Sequence, residues 1–308
     1  MPKRYLLGAA LRVIPLVVIA LVAAGQTPAA NSPASAGITA EELRTHVEAL
    51  GSANMLGRDT PGPGGDLAAQ YVARAFVAAG LQPVDEAGVA PGAYFQPFTV
   101  NDQEVKNVVG VLWGDDPSAG VVVVGAHYDG VGSRNGGLMP AADDNASGTA
   151  MIIAAAAALA RAAASGPLEH TVVFVAFGSE EDGLLGARHY CEHPLVPLSA
   201  TRAMINLDTI GRPRWERLEI VGWSRYRELS SHLQQAAAAE GVIAVAGPRS
   251  LWRRSDQAVF ADAGVPAVWL LGHLREDIHS RGDTPEGLDY EWMAQVTRAL
   301  VASIQPGL

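Results

Sequence analysis

The chain has 308 residues, of which 49% are hydrophobic and 18% are charged. This composition is typical of a globular protein with a large core and excludes an intrinsically disordered chain. The formal net charge is −10 at pH 7, and no run of Lys or Arg forms a basic patch, so we expect no nucleic-acid partner. Cys191 is the only cysteine, which excludes an intrachain disulfide.

The first 25 residues have the three parts of an export signal. A basic start, MPKR, precedes the apolar stretch VIPLVVIALVAAG, and small residues follow where a signal peptidase could cut. A retained membrane anchor is the alternative, but the apolar stretch is shorter than the roughly 20 residues of a spanning helix and contains Pro15. We therefore predict a signal peptide over 1–25, a flexible tether over 26–38 and a periplasmic or secreted protein. Membrane contact is expected only if the anchor is not cleaved.

Helices and strands alternate along the rest of the chain. Thr39 and Glu42 form a capping-box pattern before a first helix over 39–50, and Gly80 is suited to end a second helix over 66–80. Apolar runs predict strands at about 107–113, 120–127, 170–177, 203–208, 217–222 and 266–272, and helices at about 147–164, from 184, 225–240 and 289–303. This order predicts a single α/β domain over 39–308, with a mainly parallel central β-sheet covered by helices on both faces.

Five side chains that bind metals well lie at or just beyond the ends of apolar runs or in a late loop. In an open α/β sheet, side chains at the carboxyl ends of strands face one crevice, so residues far apart in sequence can surround one point. Two imidazoles and three carboxylates suit a pair of Zn²⁺ ions that share a bridging carboxylate and a water molecule. The sequence thus predicts a two-metal site for the hydrolysis of an amide or ester bond. Its ligands would be His127, Asp144, Glu181, Asp208 and His279.

Each of these motifs also has a structural interpretation. A histidine in a loop, such as His279, is often an ordinary surface or structural residue, and either Asp143 or Asp144 could cap a helix. SEEDG can be a charged turn, and Asp208 a turn-forming residue. The segment HYCEH, over 189–193, is a much weaker pattern for a second metal site. The order of all five motifs, rather than any single one, favours the metal site.

Taken together, GAHYDG, DNASG, SEEDG, NLDTIG and the histidine of DIHSRGDT resemble the motifs of the M28 family of zinc metallopeptidases. The resemblance is to the bacterial leucyl-aminopeptidase-like members, and it covers about residues 39–304. It implies a zinc aminopeptidase-like fold. It also implies that Asp144 bridges two zinc ions and that its peptide bond to Asn145 is cis.

The resemblance assigns the other site residues as well. One zinc ion would be held by His127 and Asp208, and the other by Glu181 and His279. The catalytic residues would be Glu180, as the general base, and Asp129, as the carboxylate partner that fixes the ring of His127.

Two positions depart from the family pattern. Many relatives have a tyrosine, which stabilises the tetrahedral intermediate, at the position of Ile278. Tyr128, Tyr226 or Arg281 could replace it, and the sequence does not choose among them. Many relatives also have a histidine at the position of Gln257, where we expect an altered pocket shape rather than loss of metal.

These observations predict a dinuclear zinc aminopeptidase that releases N-terminal residues from a peptide substrate. A carboxypeptidase of the same family would need a basic pocket for the terminal carboxylate, for which Arg212, Arg214, Arg253 and Arg254 are candidates. A glutaminyl-cyclase-like acyltransferase with one zinc ion is a further alternative, as is a non-catalytic relative. The complete set of ligand residue types favours hydrolysis over both of these.

Overall fold

The computed structural model describes residues 37–84, 91–134, 136–166 and 168–304. The predicted signal peptide and most of the predicted tether lie outside these residues. The helices are α1 (Ala40–Leu50), α2 (Pro63–Ala79), α3 (Gly148–Ala163), α4 (Leu185–Glu192), α5 (Arg227–Ala239), α6 (Gln257–Asp262) and α7 (Tyr290–Ile304). The strands are β1 (Phe95–Val100), β2 (Gln103–Leu112), β3 (Val121–His127), β4 (Ser133–Arg134), β5 (Gly137–Leu138), β6 (Thr171–Phe177), β7 (Thr201–Leu207), β8 (Arg217–Val221), β9 (Ile243–Ala246) and β10 (Ala267–Leu271).

Eight strands form one mixed sheet in the order β1-β2-β6-β3-β7-β10-β8-β9. The four central strands, β6, β3, β7 and β10, run parallel to one another. Antiparallel pairings join β1 and β2 to one side of this centre and β8 to the other, and β9 pairs parallel to β8. The mainly parallel central sheet predicted from the sequence is confirmed.

Helices cover both faces of the sheet, but unequally. The larger core cluster lies between the sheet and α1, α2, α3, α5 and α7, whereas only the short helices α4 and α6 pack on the other face. Alternate residues of β3 belong to different clusters, Val122 and Val124 to the larger and Val123 to the smaller. Because both faces are buried, the parallel strands are continuous apolar runs rather than alternating ones.

Several boundaries confirm the local sequence signals. The hydroxyl of Thr39 accepts a hydrogen bond from the backbone N–H of Glu42 at 3.1 Å, as the capping-box pattern predicts. Gly80 ends α2 with a φ of +85°, a conformation that glycine adopts without strain. Helix α2 begins at Pro63, three residues before the predicted start, because proline is well tolerated in the first helical turn. The sequence patterns did not predict β1, β9, α6 or the small β4–β5 hairpin.

Helix α3 brings the Asp144 segment against the central sheet. Its alanine-rich surface is almost entirely buried, and together with the turns before it, over 142–163, it is long and apolar enough to cross a membrane, although it is mostly buried inside the domain. At its first residue, Gly148, a Cβ atom would lie 2.3 Å from the carbonyl oxygen of Leu207. The absence of a side chain there lets the start of α3 approach the end of β7, which carries Asp208.

Candidate metal centre

Side chains from five segments meet at the carboxyl-terminal edge of the parallel strands. His127 is the last residue of β3, and Asp208 directly follows β7. Glu181 lies in the turn after β6, and His279 in the loop after β10. Asp144 lies in an irregular segment immediately before α3. The structure therefore brings all five predicted ligands together, because β6, β3, β7 and β10 are neighbours in the sheet.

Asp144 lies at the centre of this cluster, with one carboxylate oxygen facing each histidine. Its Oδ1 is 3.2 Å from Nε2 of His127, and its Oδ2 is 2.9 Å from Nε2 of His279. Oδ1 of Asp208 lies 3.4 Å from the same nitrogen of His127. Oε2 of Glu181 lies 3.1 Å from the same nitrogen of His279. One carboxylate thus stands between two pairs, each made of a histidine and an acid.

The donor atoms form two groups of three, within each of which the ligand atoms lie within 4.8 Å of one another. The inner group is His127, Glu180 and Asp208, and the outer group is Asp144, Glu181 and His279. Both ring nitrogens of His127 and Oε1 of Glu181 are buried without a hydrogen-bond partner. A buried polar atom without a partner costs about 1–3 kcal/mol, and a cation bound at Nε2 of His127 would remove that cost for this nitrogen. Nitrogen and carboxylate donors in this arrangement fit Zn²⁺.

The electrostatics of the cluster also favour bound positive charge. Burial by itself would lower the pKa of His127, but the carboxylates of Glu180 and Asp208 outweigh it and hold this pKa well above its usual range. Hydrogen bonds with Asp144 and Glu181 raise the pKa of His279 to about 10. Without a metal, the acids of the site would therefore hold protons on both imidazoles, and a divalent cation would displace those protons.

Asp129 positions the turn that carries Glu180 and Glu181. Its two carboxylate oxygens accept the backbone N–H groups of Glu180 at 3.2 Å and of Glu181 at 3.3 Å. The hydroxyl of Thr60 donates to the same carboxylate at 3.3 Å. Nδ1 of His127 lies 3.5 Å from Oδ1 of Asp129, which is too long for a well-formed hydrogen bond. Asp129 therefore lies beside His127 as predicted, but its closest contacts hold the main chain of the two glutamates.

Asp208 is held from three directions. The hydroxyl of Ser255 donates to its Oδ2 at 2.6 Å, and that of Thr209 donates to its Oδ1 at 2.9 Å. The indole N–H of Trp269 donates to its carbonyl oxygen at 2.8 Å. Ser255 in turn accepts a hydrogen bond from the amide of Asn206 at 2.7 Å. This network leaves the Asp208 side chain little freedom to rotate, so it is oriented before any metal binds.

The segment before α3 is fixed by Asp283 and Arg212. The two carboxylate oxygens of Asp283 accept the backbone N–H groups of Asp143 at 2.9 Å and of Asp144 at 3.1 Å. Arg212 donates from Nε to Oδ2 of Asp143 at 2.7 Å. The peptide bond between Asp144 and Asn145 is cis, as expected from the family resemblance. The position of Asp144 thus depends on side chains about 70 and 140 residues later in the sequence.

Helix capping at α3 is performed by neither of the two adjacent acids. Asp143 is fully buried in its ion pair with Arg212, and Asp144 faces the histidines. The side chain of Asn145 accepts the backbone N–H of Gly148 at 2.9 Å instead. The alternative interpretation of an aspartate as the cap is therefore wrong, because the side chain that accepts the N–H of the first residue of α3 belongs to Asn145, three residues before it.

Arg58 is a buried cation that sequence reasoning did not identify. Its side chain is completely buried and donates hydrogen bonds at 2.7–2.9 Å to the carbonyl oxygens of Leu50, Tyr128, Pro140 and Ala141. Burial lowers its pKa to about 10, so it remains charged at neutral pH. Arg58 ties together the end of α1 and the segments that precede Asp129 and Asp143. The only signal for it was a charged residue inside the loop GRDTPGPGG.

Asp256 is a second residue that the sequence left unassigned. It is fully buried, and neither of its carboxylate oxygens has a hydrogen-bond partner. Burial raises its pKa to about 8, and Asp208 and Asp129 add to this increase. Asp256 does not line the cavity above the cluster.

A cavity of about 300 Å³ opens above the cluster. Its floor includes Asp144, Glu180, Glu181 and Asp208, together with His279. Its walls combine apolar side chains with two arginines, namely Leu184, Trp269, Leu274, Ile278, Arg253 and Arg254. A small cavity with convergent polar groups on its floor is typical of a site for a small ligand or one end of a chain.

The four arginines proposed for a carboxylate pocket lie in different places. Arg212 forms ion pairs with the carboxylates of Asp143 and Asp277, with N–O distances of 2.7 and 2.9 Å. The guanidinium of Arg214 lies over the ring of Trp215, 4.0 Å from its centroid. Only the other two of the four line the cavity, Arg253 and Arg254.

The substitutes proposed for the missing tyrosine do not line this cavity. Ile278 itself does. Tyr128 is buried and donates its hydroxyl to the carbonyl oxygen of Lys106 at 2.7 Å, and Tyr226 lines a different depression beside α5. Arg281 lies against Gly137 of β5. None of these three side chains is therefore in a position to stabilise an oxyanion over the cluster.

Gln257 lies below the cavity rather than in its wall. It is buried, and its Nε2 donates to the carbonyl oxygen of Trp252 at 2.8 Å. The residue thus influences the cavity through the loop 249–254, which carries Arg253 and Arg254. The HYCEH segment lies elsewhere, and the rings of His189 and His193 stack on each other with centroids 4.6 Å apart. In the part of the chain that the structure describes, these histidines are not in either metal group.

Comparison with known proteins identifies the family of the chain. The model of peptidase family M28 matches residues 107–304. Aminopeptidase YwaD of Bacillus subtilis is 30% identical over 213 residues, which are 66% of this chain and 45% of that protein. A probable leucine aminopeptidase of Trichophyton verrucosum is 28% identical over 222 residues, which are 69% of this chain and 59% of that protein. The chain thus spans about half the length of these relatives.

Solved structures share the fold at lower identity. LapA of Legionella pneumophila superposes with a TM-score of 0.73 at 22% identity, covering 88% of this chain and 74% of that one. A glutaminyl cyclase of Porphyromonas gingivalis superposes with a TM-score of 0.67 at 17% identity, covering 86% of this chain and 97% of that one. The same fold therefore occurs in proteins with different activities, and the function of this chain must be argued from its site.

Proposed function

Because the chain belongs to peptidase family M28, we propose that it is an aminopeptidase that holds two zinc ions and releases N-terminal residues from peptides. The observation that carries this proposal is the position of Asp144, with one oxygen toward His127 and the other toward His279. A carboxylate between two separate donor groups is what a pair of cations requires. The relatives named as aminopeptidases support the same activity.

The two donor groups suggest which residues would hold each ion. His127 and Asp208 would hold one, Glu181 and His279 the other, and Asp144 would contribute to both. Bound zinc would supply a water molecule that ionises near neutral pH and positive charge for the developing oxyanion. Asp129, Ser255 and the other residues that fix these ligands would keep the spacing constant through the reaction.

Glu180 would move the proton. It belongs to the inner group but is not needed to complete either histidine–acid pair, so its carboxylate is available as a base. Burial, the largest influence, raises its pKa well above that of an ordinary glutamate, which brings it toward the range useful for a base at neutral pH. Glu180 would accept a proton from the attacking water and deliver it to the nitrogen of the departing amine.

The cavity favours cleavage at a chain end. Its volume of about 300 Å³ is at the lower limit for pockets that bind small ligands, so it suits a terminal residue better than the middle of a chain. The amine of the substrate N-terminus would sit near the outer ion or beside one of the acids on the floor. Leu184, Leu274 and Ile278 form an apolar wall that would accept the side chain of the terminal residue.

Two rival functions share much of this argument. A carboxypeptidase would place a terminal carboxylate in the cavity, and Arg253 and Arg254 are present there. A glutaminyl cyclase shares the fold, and it would use one zinc ion to cyclise an N-terminal glutamine. Both histidine–acid pairs and the carboxylate between them are present in this chain, which favours the two-ion hydrolase over the cyclase.

One set of assays separates these functions. The purified chain is analysed for zinc and then incubated with the tripeptide Leu-Gly-Phe and with a peptide that begins with glutamine. Two zinc ions per chain and initial release of leucine are expected. Initial release of phenylalanine would indicate a carboxypeptidase, and pyroglutamate with one zinc ion would indicate a cyclase. Absence of zinc and of all products would overturn the enzymatic proposal.

We also propose that the protein is exported and acts in the periplasm or outside the cell. The support comes from the sequence of residues 1–25 alone. The N-terminus of the protein recovered from an expressing bacterium tests this, because cleavage near residue 25 would leave a soluble mature chain. A full-length chain in the membrane fraction would instead support the retained anchor.

A further inference from the structure

The walls of the cavity carry an unequal distribution of charge. All the carboxylates lie on the floor, while the two arginines of the loop 249–254 lie in the wall. Arg253 is already paired, with its guanidinium 2.8 and 3.1 Å from the two carboxylate oxygens of Asp262. Arg254 is exposed, and among the described residues no carboxylate lies within ion-pair distance of its side chain. It is therefore the cavity cation that is available to a ligand.

The loop that carries Arg254 is held firmly although the side chain is exposed. The backbone N–H of Arg254 donates to the carbonyl oxygen of Leu251 at 2.9 Å. Gln257 donates to the carbonyl oxygen of Trp252, and the guanidinium of Arg225 lies 4.7 Å from the centre of one Trp252 ring. These contacts fix the backbone of the loop. The main cost of binding a ligand would therefore be the side-chain entropy that Arg254 loses.

We infer that Arg254 binds a carboxylate of the peptide on the leaving side of the scissile bond, an inference that rests on the proposed aminopeptidase function. The N-terminus of the substrate would sit at the cluster on the floor, and only a short stretch of chain fits within about 300 Å³. The first carboxylate of the peptide beyond the scissile bond would then lie near the part of the cavity wall that carries Arg254. An arginine binds a carboxylate through two parallel hydrogen bonds, which gives orientation as well as affinity.

Two kinds of peptide carry a carboxylate at that position. One is a dipeptide, whose terminal carboxylate follows the scissile bond by one residue. The other is a longer peptide with aspartate or glutamate as its second residue. The substrate class is therefore short peptides or peptides acidic at the second residue.

The test compares matched substrate pairs. The first pair is Leu-Leu and Leu-Leu-amide, and the second is Leu-Glu-amide and Leu-Gln-amide. For each pair the ratio of kcat/KM for the carboxylate member to that for the neutral member is measured in the wild type and in the variant Arg254→Ala. Because the amide also changes the leaving amine, the readout is the change of this ratio between proteins rather than its value in one of them.

We expect the ratio of at least one pair to fall about tenfold in Arg254→Ala, which corresponds to the loss of one charged contact, and to recover partly in Arg254→Lys. Arg249→Ala removes an exposed arginine of the same loop that does not line the cavity, so it should leave both ratios unchanged. A change in the first pair identifies the terminal carboxylate, and a change in the second identifies an acidic side chain.

Unchanged ratios in Arg254→Ala for both pairs would overturn the inference while leaving the aminopeptidase function in place. A fall of the same size in Arg249→Ala would also overturn it, because the effect would then be one of general surface charge. No release of leucine from any of the four substrates by the wild type would overturn the aminopeptidase function and this inference with it.

Discussion

The inner and outer groups of the metal centre differ in how the fold supports them. In the inner group, His127 ends a central strand and Asp208 follows another, and their side chains are 0% and 6% exposed. In the outer group, His279 comes from a loop, has a φ of +57° and is 33% exposed. The inner ligands are placed by the sheet itself, whereas the outer ligands are placed by contacts between loops.

This difference has a chemical consequence. Ligands that are already oriented lose little freedom when a metal binds, so we expect the inner group to bind its zinc ion more tightly. The outer group opens to the cavity, where a substrate amine and an exchangeable ligand can reach it. This arrangement suits a centre in which the inner ion mainly holds its ligands in place. The outer ion would then be the one that contacts the substrate.

The largest expected effect separates the adjacent residues Glu180 and Glu181. In Glu180→Gln the base is lost but both histidine–acid pairs remain, so kcat should fall by about 10²–10⁴ while two zinc ions stay bound. In Glu181→Gln an outer ligand is weakened, so zinc content should fall as well. Kinetics and metal analysis on both variants check this. A Glu180→Gln enzyme with wild-type turnover would show that the base is another group.

A second large effect is expected at Asp144, because it serves both groups. Asp144→Ala should bind fewer than two zinc ions per chain, as measured by metal analysis after gel filtration. The matched control is Asp182→Ala, which removes an exposed acid near the same site and should retain both ions. If Asp144→Ala keeps both ions, the carboxylate does not bridge them.

A smaller loss of zinc affinity is expected at the inner group alone. Ser255→Ala removes the hydroxyl that donates to Asp208 at 2.6 Å, and loss of such an orienting contact typically lowers metal affinity by about 10–100-fold. Competition with a chelator should then release the inner ion of the variant more readily. Ser250→Ala, which removes an exposed serine five residues earlier, is the control. Equal zinc affinity in Ser255→Ala and the wild type would mean that Asp208 is oriented without this hydrogen bond.

The smallest expected effect is a shift in the pH dependence of kcat/KM. The pKa of Glu180 is raised by burial, and the base acts only when it is deprotonated. The acid limb of kcat/KM should therefore lie above the ordinary pKa of glutamate, about 4.3, with activity lost as pH falls through the raised pKa. Zinc content measured over the same pH range controls for loss of metal. An acid limb at or below 4.3 with zinc retained would contradict the assignment of a buried base.

The same contrast explains how far the sequence could predict the structure. The strands and the inner ligands follow from apolar runs that end in a histidine or an acid, a pattern visible in the sequence. Arg58 could not be assigned, because the carbonyl groups that accept its hydrogen bonds belong to three separate segments, two of which lie 70 and 82 residues away in the sequence. Strand β9 and helix α6 were missed because they have only four and six residues, too few for a period to show. The fold and the grouping of the five candidate ligands could thus be predicted from the sequence, and the contacts that support them could not.

Crystallography of the zinc-loaded protein with data at the zinc absorption edge tests the central claim most directly. Our account predicts two anomalous peaks, one between His127 and Asp208 and the other between Glu181 and His279, both in contact with Asp144. After partial chelation, the peak at the inner group should be the stronger. A single peak, or two peaks of which one does not contact Asp144, would contradict the account.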